Sequence, residues 1–298
     1  MSAELDDFMA TMVTPARPVA AERAVALARE RYGIEASPTR LSGERDENFR
    51  LRAPCGAEYV LKIANPAEHA DASELPTAAL LHIERVDPAF PCPRVIRDRE
   101  NNARVRFIDQ NGLGRTACLL TYLPGKLLGD TERSARQRTA CGHIAGRLTR
   151  ALDAFAHPAA HRAVVWDVRH TGYVQRLLGQ VPDLPCRRQA AALLRHIVPE
   201  IDAQLPRQRA QVVHNDMNPL NILVEPADET RVSGVIDFGD ITHTALIADL
   251  AVAAAELIPA TCRDAAEACE SIRDVTRAYH ERVPLLAQEL VMLGTLVA

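Results

Sequence analysis

The sequence predicts an α+β protein with two unequal lobes, a small β-rich lobe followed by a larger, mainly helical lobe. Two observations predict this division. Alternating apolar and polar residues, broken by turn signals, dominate the chain up to about residue 122. Beyond about residue 130 apolar residues recur mostly at helical spacing, and strand-like runs are short. We therefore predict one lobe over residues 1–122 and a second over residues 123–298, with a cleft between them.

The first lobe is predicted to contain a leading helix, a five-stranded sheet and one further helix. Gly33 ends the leading helix, and turn signals at residues 42–43 and 54–56 divide the following stretch into three strands. Pro76 interrupts the second helix, which could therefore begin after it. The predicted bounds are 18–32 and 68–86 for the helices, 37–63 for the first three strands, and 103–109 and 115–122 for the last two.

The second lobe follows a turn-prone connector at residues 122–125, Tyr-Leu-Pro-Gly, which suits a hinge. Its apolar residues recur at helical spacing in six segments, and two short strands are predicted beside the polar blocks described below. The predicted helices span about 131–156, 166–180, 187–204, 245–258, 262–281 and 284 onward.

The composition is that of an ordinary globular protein and limits the classes of partner. Of 298 residues 47% are apolar and 25% charged, and the net charge of −4, with scattered basic residues, favours no nucleic-acid partner. The apolar runs are too short to cross a membrane, and the acidic N-terminus is unlike a signal peptide. Seven cysteines without a Cys-x-x-Cys pair are typical of reduced thiols, so we expect a cytoplasmic protein.

Two polar blocks carry the strongest chemical signal. Residues 212–223 place His214, Asp216 and Asn221 beside apolar strand-forming residues, and residues 235–240 place Asp237 in the same way. Two carboxylates and a carboxamide are what a magnesium-dependent phosphoryl transfer needs, one carboxylate to accept the proton of an attacking hydroxyl and the others to hold the metal. The pattern His-x-Asp-x-x-x-x-Asn followed by Asp-Phe-Gly is typical of the protein-kinase-like fold.

With these motifs the chain resembles the aminoglycoside phosphotransferase and choline kinase group of small-molecule kinases. Within this group it is most similar to the hydroxylysine-kinase-like branch, which also occurs fused to class III aminotransferases. The resemblance implies a protein-kinase-like two-lobe fold and a possible fused or partner aminotransferase domain. Besides the two blocks, the segments that carry it are residues 42–49, 59–66, 119–125, 157–162 and 166–170.

The resemblance implies a role for each residue of the two blocks. Asp216 would be the catalytic base, and Asn221 and Asp237 would be the protein ligands of Mg²⁺, with ATP or GTP as the phosphoryl donor. His214 is expected to brace the loop through hydrogen bonds rather than take part in the chemistry. An aspartate after a strand is more often a turn or cap residue, but the spacing to Asn221 and Asp237 favours the functional interpretation.

The first lobe supplies the predicted nucleotide contacts. Only two of the 35 basic residues are lysines, and Lys62 lies in an alternating strand pattern where a compact ammonium suits phosphate. Its expected partner is Glu74, with Glu68 and Asp71 as rivals. The resemblance implies that the following residues also contact the nucleotide: Gly43 and Asn48 of the phosphate-covering loop, which has one glycine rather than three, and the connector residues Tyr122 and Leu123.

The acceptor contacts are predicted from residues near the metal motif and the single tryptophan. Asp240 could bind a substrate ammonium or cap the following segment, and Asp167 or Arg169, beside Trp166, could bind an amino acid's charged groups. The resemblance makes hydroxylysine the first candidate among small amino alcohols, with homoserine and aminoglycosides as alternatives. Residues 131–210 are rich in arginine and poor in acids, which favours a carboxylate-bearing acceptor over a polycationic sugar.

Two other classes of function compete with the kinase. A nucleotide-binding regulatory module without turnover would be expected to lack Asp216, Asp237 or Lys62, and all three are present. A metal-dependent hydrolase built on His214 and the two aspartates would lack a second histidine at ligand spacing and leaves Lys62 unexplained. The sequence therefore favours an alcohol-directed phosphotransferase.

Overall fold

The computed structural model describes residues 4–6, 8–9, 18–43, 45–68, 70–182 and 185–297. They fall into two compact units, a first unit between Asp6 and Pro124, and a second unit from Gly125 onward together with Glu4 and Leu5. The first unit is built on an antiparallel sheet and the second is mainly helical. The predicted α+β class is confirmed.

The sheet of the first unit has six strands, not the five predicted. The missed strand, β4, is only two residues long and follows a proline-rich turn, so it leaves no alternating pattern in the sequence. Strand β6 pairs along one edge with β3 and along the other with both β5 and β4, and the path through the sheet is β1-β2-β3-β6-β4. The strands are β1 (Ser37–Leu41), β2 (Glu47–Arg52), β3 (Glu58–Ile63), β4 (Val95–Ile96), β5 (Val105–Ile108) and β6 (Gly114–Thr121).

Two helices accompany this sheet. Helix α1 (Ala21–Leu27) continues as a π-helical segment and ends at Gly33, whose φ of 72° lies in the left-handed region that favours glycine. Helix α2 (Ala70–Val86) contains Pro76 within it, so the expectation that it could begin after the proline is wrong. An apolar stripe holds α2 together across the proline, formed by the fully buried residues Leu75, Ala79 and Ile83.

Most helices of the second unit are shorter than their periodicity predicts, whereas the helix over Pro185–Gln204 begins two residues before its predicted start. The predicted helix 166–180, for example, is α-helical only over Thr171–Leu177 and has 3₁₀ turns at Val168–His170 and Leu178–Gln180. Helices α3 and α7 pack closely: a Cβ added to Gly142 would lie 2.3 Å from the carbonyl oxygen of Val275. The helices are α3 (Ala135–Ala151), α4 (Thr171–Leu177), α5 (Pro185–Gln204), α6 (Leu246–Glu256), α7 (Ala265–His280) and α8 (Ala287–Leu296).

The second unit has more strands than the two predicted. Two small antiparallel sheets, ordered β10-β9-β7 and β11-β8, frame the polar blocks. The polar side chains of the first block lie between β8 and β9, and those of the second lie between β10 and β11. The strands are β7 (Lys126–Leu127), β8 (Ala210–Val213), β9 (Ile222–Glu225), β10 (Asp228–Val235) and β11 (Thr242–Ala245). Within the described ranges, each helix is too short or too polar to span a bilayer.

Candidate active site

The first polar block begins where strand β8 ends. His214 is fully buried, its Nδ1 accepts a hydrogen bond from the backbone N–H of Asp216 at 3.3 Å, and its Nε2 lies 3.1 Å from the carbonyl oxygen of Ile236. These contacts assign the neutral tautomer that donates from Nε2, and burial lowers the pKa of His214 in agreement. The imidazole ring of His214 and the ring of Phe238 also meet edge to face, with their centroids 4.8 Å apart. His214 therefore ties the two blocks together, which confirms the bracing role predicted for it.

Asp216 is held by the amide groups of two asparagines. Asn218 Nδ2 donates to one carboxylate oxygen and Asn221 Nδ2 to the other, each at 2.7 Å. Asn221 Nδ2 also lies 2.9 Å from the backbone carbonyl of Asp216. The carboxylate is thus fixed in one orientation. A general base needs a defined orientation toward the proton that it takes up, as well as a suitable pKa.

The surroundings of Asp216 raise its pKa to about 6, chiefly through burial. The charges of Asp240 and Asp237 raise this pKa further, while the hydrogen bonds from Asn218 and Asn221 lower it. Like-charged neighbours favour the protonated form because two carboxylates near each other resist joint ionisation. The carboxyl is therefore a stronger base than a solvated aspartate and is still largely ionised at neutral pH.

Asp249, on helix α6, anchors the backbone of the same loop. Its Oδ1 accepts a hydrogen bond from the backbone N–H of Asn215 at 2.7 Å, and the backbone of His214 also hydrogen-bonds to the carboxyl. Asn215 has a φ of 66°, a left-handed conformation that asparagine tolerates better than most residues. Asp249 is 2% exposed, and its burial raises its pKa to about 7. The helix thus fixes the turn that leads into Asp216.

Asn221 and Asp237 are the residues that could hold a divalent metal ion. Both hydrogen bonds from Asn221 Nδ2 go to Asp216, which turns the carbonyl oxygen Oδ1 of the planar amide away from Asp216. Asp237 is exposed, has a left-handed φ of 59°, and accepts a hydrogen bond from the backbone N–H of Gly239 at 3.2 Å. One amide oxygen and one exposed carboxylate fit Mg²⁺, which takes few protein ligands, all oxygens.

The turn after Asp237 is held by an arginine from a distant segment. Arg162 Nη2 donates to the carbonyl oxygen of Gly239 in a short hydrogen bond, and to that of Ile241 at 3.2 Å. Asp240 lies in this 3₁₀ turn, is 8% exposed, and is near enough to Asp216 to raise its pKa. The turn therefore fixes Asp240 beside the other two carboxylates, with an environment suited to a cationic group.

Asp167 and Arg169 form an ion pair. Asp167 is 1% exposed, and its carboxylate accepts hydrogen bonds from Arg169 Nε at 2.8 Å, from the Arg169 backbone N–H at 2.9 Å and from Thr244 Oγ1 at 3.1 Å. The Arg169 side chain remains 31% exposed. The carboxylate of Asp167 is therefore buried, accepts three hydrogen bonds and holds Arg169, while the predicted contact of Asp167 or Arg169 with the acceptor stays a prediction.

In the first unit the sheet register aligns Lys62 with other polar residues. Asn48 on β2, Lys62 on β3 and Cys118 on β6 are directly opposite one another, so their side chains share one face of the sheet. Cys118 hydrogen-bonds to Thr77 of helix α2, which identifies this face as the one that meets the helix. Lys62 therefore lies on the α2 side of the sheet.

The other predicted nucleotide residues also lie in the first unit. A Cβ at Gly43 would come within 2.5 Å of Asn48 Nδ2 and of the Asp46 carbonyl oxygen, so this position requires glycine. Tyr122 is held by Arg50, whose guanidinium lies 4.1 Å from the ring centroid, and Leu123 is half-buried beside it. Gly43 thus lies against Asn48, and Tyr122 packs on Arg50.

Glu74 lies on helix α2 and has an arginine in its surroundings. Arg104 hydrogen-bonds to Ser73, and the charges of Glu74 and Glu68 act to raise the pKa of Arg104 against the larger lowering by burial. The side chain of the third candidate, Asp71, lies outside the described residues. The partner of Lys62 predicted on this helix stays a prediction.

Sequence reasoning did not identify three residues that shape the site. Asn218 could have been found from its place two residues after Asp216, and Asp249 from being an acid inside an otherwise apolar helix. Arg162 carries no such signal, because its partners are carbonyl groups 77 and 79 residues away. A contact of that kind is visible only once the chain has folded.

The sequence matches a known family model over most of its length. The model described as the phosphotransferase enzyme family (APH) matches residues 38–285. Hydroxylysine kinase of Mus musculus is 27% identical over 261 residues, which cover 80% of this chain and 69% of that protein. Homoserine kinase of Methylobacillus flagellatus is 29% identical over 251 residues, which cover 83% of this chain and 71% of that protein.

Two solved structures share the fold at low sequence identity. Amicoumacin kinase hAmiN, in complex with AMP-PNP, Ca²⁺ and Ami, superposes with a TM-score of 0.72 at 13% identity, covering 98% of this chain and 84% of that one. A microcompartment-associated aminopropanol kinase gives a TM-score of 0.67 at 17% identity, covering 93% and 85% of the two chains. At these identities the likeness establishes the protein-kinase-like fold of the chain.

Proposed function

The chain belongs to the phosphotransferase enzyme family, and we propose that it transfers the γ-phosphoryl group of ATP or GTP to a hydroxyl of a small amino compound. The observation that carries this proposal is the fixed, buried carboxyl of Asp216, held by two asparagines beside Asp237 and Asp240. Hydroxylysine is the first candidate acceptor because the similar mouse protein is a hydroxylysine kinase. Homoserine is the second because the similar protein of Methylobacillus flagellatus is a homoserine kinase.

In the proposed reaction Asp216 accepts the proton of the acceptor hydroxyl. The hydroxyl oxygen forms a new bond to the γ-phosphorus while the bond from that phosphorus to the bridging oxygen breaks, which releases the nucleoside diphosphate. Asn218 and Asn221 keep the carboxylate pointed at the hydroxyl. At neutral pH a carboxyl whose pKa is about 6 is ionised enough to accept the proton.

Asn221 and Asp237 would hold Mg²⁺ in this reaction. When bound, the ion neutralises charge on the phosphates and lines up the donor. The calcium ion and the AMP-PNP of the amicoumacin kinase complex support a divalent metal and ATP as donor for this fold. In the first unit, Lys62 is the proposed phosphate contact, with Gly43, Asn48, Glu74, Tyr122 and Leu123 around the nucleotide. The aminotransferase partner and the cytoplasmic location stay predictions.

A coupled assay of nucleoside-diphosphate release tests the proposal. We would assay the full chain with magnesium and either ATP or GTP over a panel of amino alcohols that includes 5-hydroxy-L-lysine, L-homoserine and 3-aminopropan-1-ol. The proposal expects acceptor-dependent release well above the acceptor-free rate for at least one amino alcohol. Release that is the same with and without every acceptor would contradict it and favour a nucleotide-binding module without turnover.

A further inference from the structure

A group of basic and imidazole side chains lies beside the acidic site and has no part in the proposed phosphoryl transfer. The rings of His161 and His243 are in contact, with centroids 4.5 Å apart and planes tilted by 37°. Arg169 reaches the same strand as His243, with Nη2 at 3.4 Å from Thr242 Oγ1. We call His161, His243 and Arg169 the basic cluster.

The basic cluster is accessible to a ligand. His161 is exposed, His243 is half-buried, and 31% of the Arg169 side chain is exposed. The guanidinium of Arg169 is held in one orientation by the carboxylate of Asp167, which contacts both Nε and Nη2. The remaining nitrogen, Nη1, can still donate a charge-assisted hydrogen bond to an anion. Asp167 thus gives Arg169 the preorganisation that recognition of a carboxylate needs.

The fold places this cluster close to the carboxylates of the active site. Strand β11 pairs with β8 so that Thr242 is opposite Val213 and His243 is opposite Val212. Asp216 follows Val212 by four residues, which is at most about 13 Å along an extended chain. His161 is next to Arg162, which hydrogen-bonds to Gly239 and Ile241 in the turn after Asp237. The basic cluster and the acids are thus both attached to the β8–β11 strand pair and to the turn after Asp237.

The two groups of side chains differ in charge. Asp216, Asp237 and Asp240 form the acidic side, whereas the other side holds two imidazoles and Arg169, whose charge is balanced by the buried carboxylate of Asp167. Burial, the neighbouring His161 and the Arg169 guanidinium all lower the pKa of His243, so its imidazole is neutral at physiological pH and can donate a hydrogen bond without carrying charge. A site with this arrangement suits a zwitterion, with the ammonium toward the acids and the carboxylate toward the basic cluster.

We propose that the basic cluster of Arg169, His243 and His161 binds the carboxylate of the phosphoryl acceptor, so that the acceptor is a hydroxylated α-amino acid. This inference rests on the proposed kinase function and adds the residues that recognise the carboxylate of the acceptor. Arg169 supplies the charged donors and His243 a neutral one. An amino alcohol without a carboxylate leaves these donors unmatched and binds less tightly.

Matched pairs of acceptors test the proposal directly. The first pair is L-homoserine and 3-aminopropan-1-ol, and the second is 5-hydroxy-L-lysine and 1,5-diaminopentan-2-ol; the members of each pair differ only by the carboxylate. For the wild-type protein we expect kcat/KM to favour the carboxylate member of the better pair by about 10- to 150-fold, the ratio expected for a hydrogen bond to a charged group. A ratio within about twofold of one would overturn the inference.

Two substitutions locate the recognition. In His243→Gln and in Arg169→Lys the preference for the carboxylate member should fall about tenfold, through a higher KM for that acceptor, while the KM for nucleotide is unchanged. Arg169→Lys keeps a cation beside Asp167 and so avoids leaving a buried carboxylate unpaired. General damage would lower kcat/KM equally for both members of a pair. The matched control is His196→Gln, on the exposed face of α5, which should keep the wild-type ratio.

The outcomes separate this inference from the kinase function. Turnover of both members of a pair at equal efficiency leaves the kinase function intact and overturns the carboxylate site, as does an unchanged ratio in both variants. If neither member is phosphorylated, binding is measured by calorimetry with the same acceptors. Binding of the carboxylate member alone then supports the cluster and contradicts the kinase function, and binding of neither overturns both.

Discussion

At the scale of single residues, the site depends on how each polar group is held. Asp216 is fixed by Asn218 and Asn221, and His214 links the loop to the segment that carries Asp237. Such contacts set the orientation of a carboxylate and its pKa together, because the groups that hold it also change the energy of its charged form. The identity of the candidate base and metal ligands followed from motif spacing, whereas Asn218 became evident only from its hydrogen bond.

Replacing Asp237 tests the metal assignment. In Asp237→Ala, one of the two proposed protein ligands is gone, so nucleotide should no longer raise the melting temperature in a magnesium-dependent way. The measurement is thermal unfolding with and without ATP, each with magnesium or with a chelator. Asp202→Ala, at an exposed position on α5, is the control and should behave as the wild type. A magnesium-dependent rise in the variant equal to that of the parent would show that Asp237 does not bind the metal.

At the scale of secondary structure, helix α6 supports the loop through a single buried acid. The sequence predicted this helix from its apolar spacing, with bounds within two residues of those observed. It did not predict what Asp249 does, because the partners of that carboxyl are backbone N–H groups 34 and 35 residues earlier in the chain. Strand β4 was missed for a different reason, since two residues cannot establish a period.

The pH dependence of stability tests the burial of Asp249. Its pKa is about 7 in the folded protein and about 4 when unfolded, so the folded state binds more protons between these values. Stability contributed by the neutral carboxyl is therefore fully present below pH of about 4 and is lost as pH rises through about 7. The side chain of the Asp249→Asn variant cannot ionise. The free energy of unfolding of the variant minus that of the wild type should therefore increase by roughly 1 kcal/mol or more as the pH rises from about 5 to about 8.

Urea unfolding of both proteins at several pH values measures this difference. Comparing variant with parent at each pH cancels the titration of all groups that they share. The asparagine still offers an acceptor oxygen to Asn215, but it lacks the second carboxylate oxygen. The variant is therefore expected to be less stable than the wild type at low pH. A stability difference that does not change with pH would mean that Asp249 keeps an ordinary pKa.

At the scale of the whole molecule, the chemistry is divided between two units. The first unit carries the predicted nucleotide contacts around Lys62, and the second carries the candidate base, the metal ligands and the basic cluster. The class of fold and the polar blocks could be predicted because they depend on local period and short motifs. The contact of Asp167 with Thr244, and that of Arg162 with the turn after Asp237, could not, since each joins residues 77 or more positions apart in the chain.

Asp216 is the proposed base of the phosphoryl transfer, and the substitution Asp216→Asn removes its ability to take up a proton. The amide cannot accept the proton of the hydroxyl, but its oxygen can still accept the hydrogen bond from Asn221, and the backbone carbonyl that Asn221 also contacts is unchanged. With a saturating amino acid acceptor, we expect kcat to fall by at least about 100-fold, while magnesium-dependent stabilisation by ATP stays within the error of the wild type. The measurement is nucleoside-diphosphate release alongside thermal unfolding of the same preparation. A variant that keeps near-normal kcat would show that Asp216 is not the base.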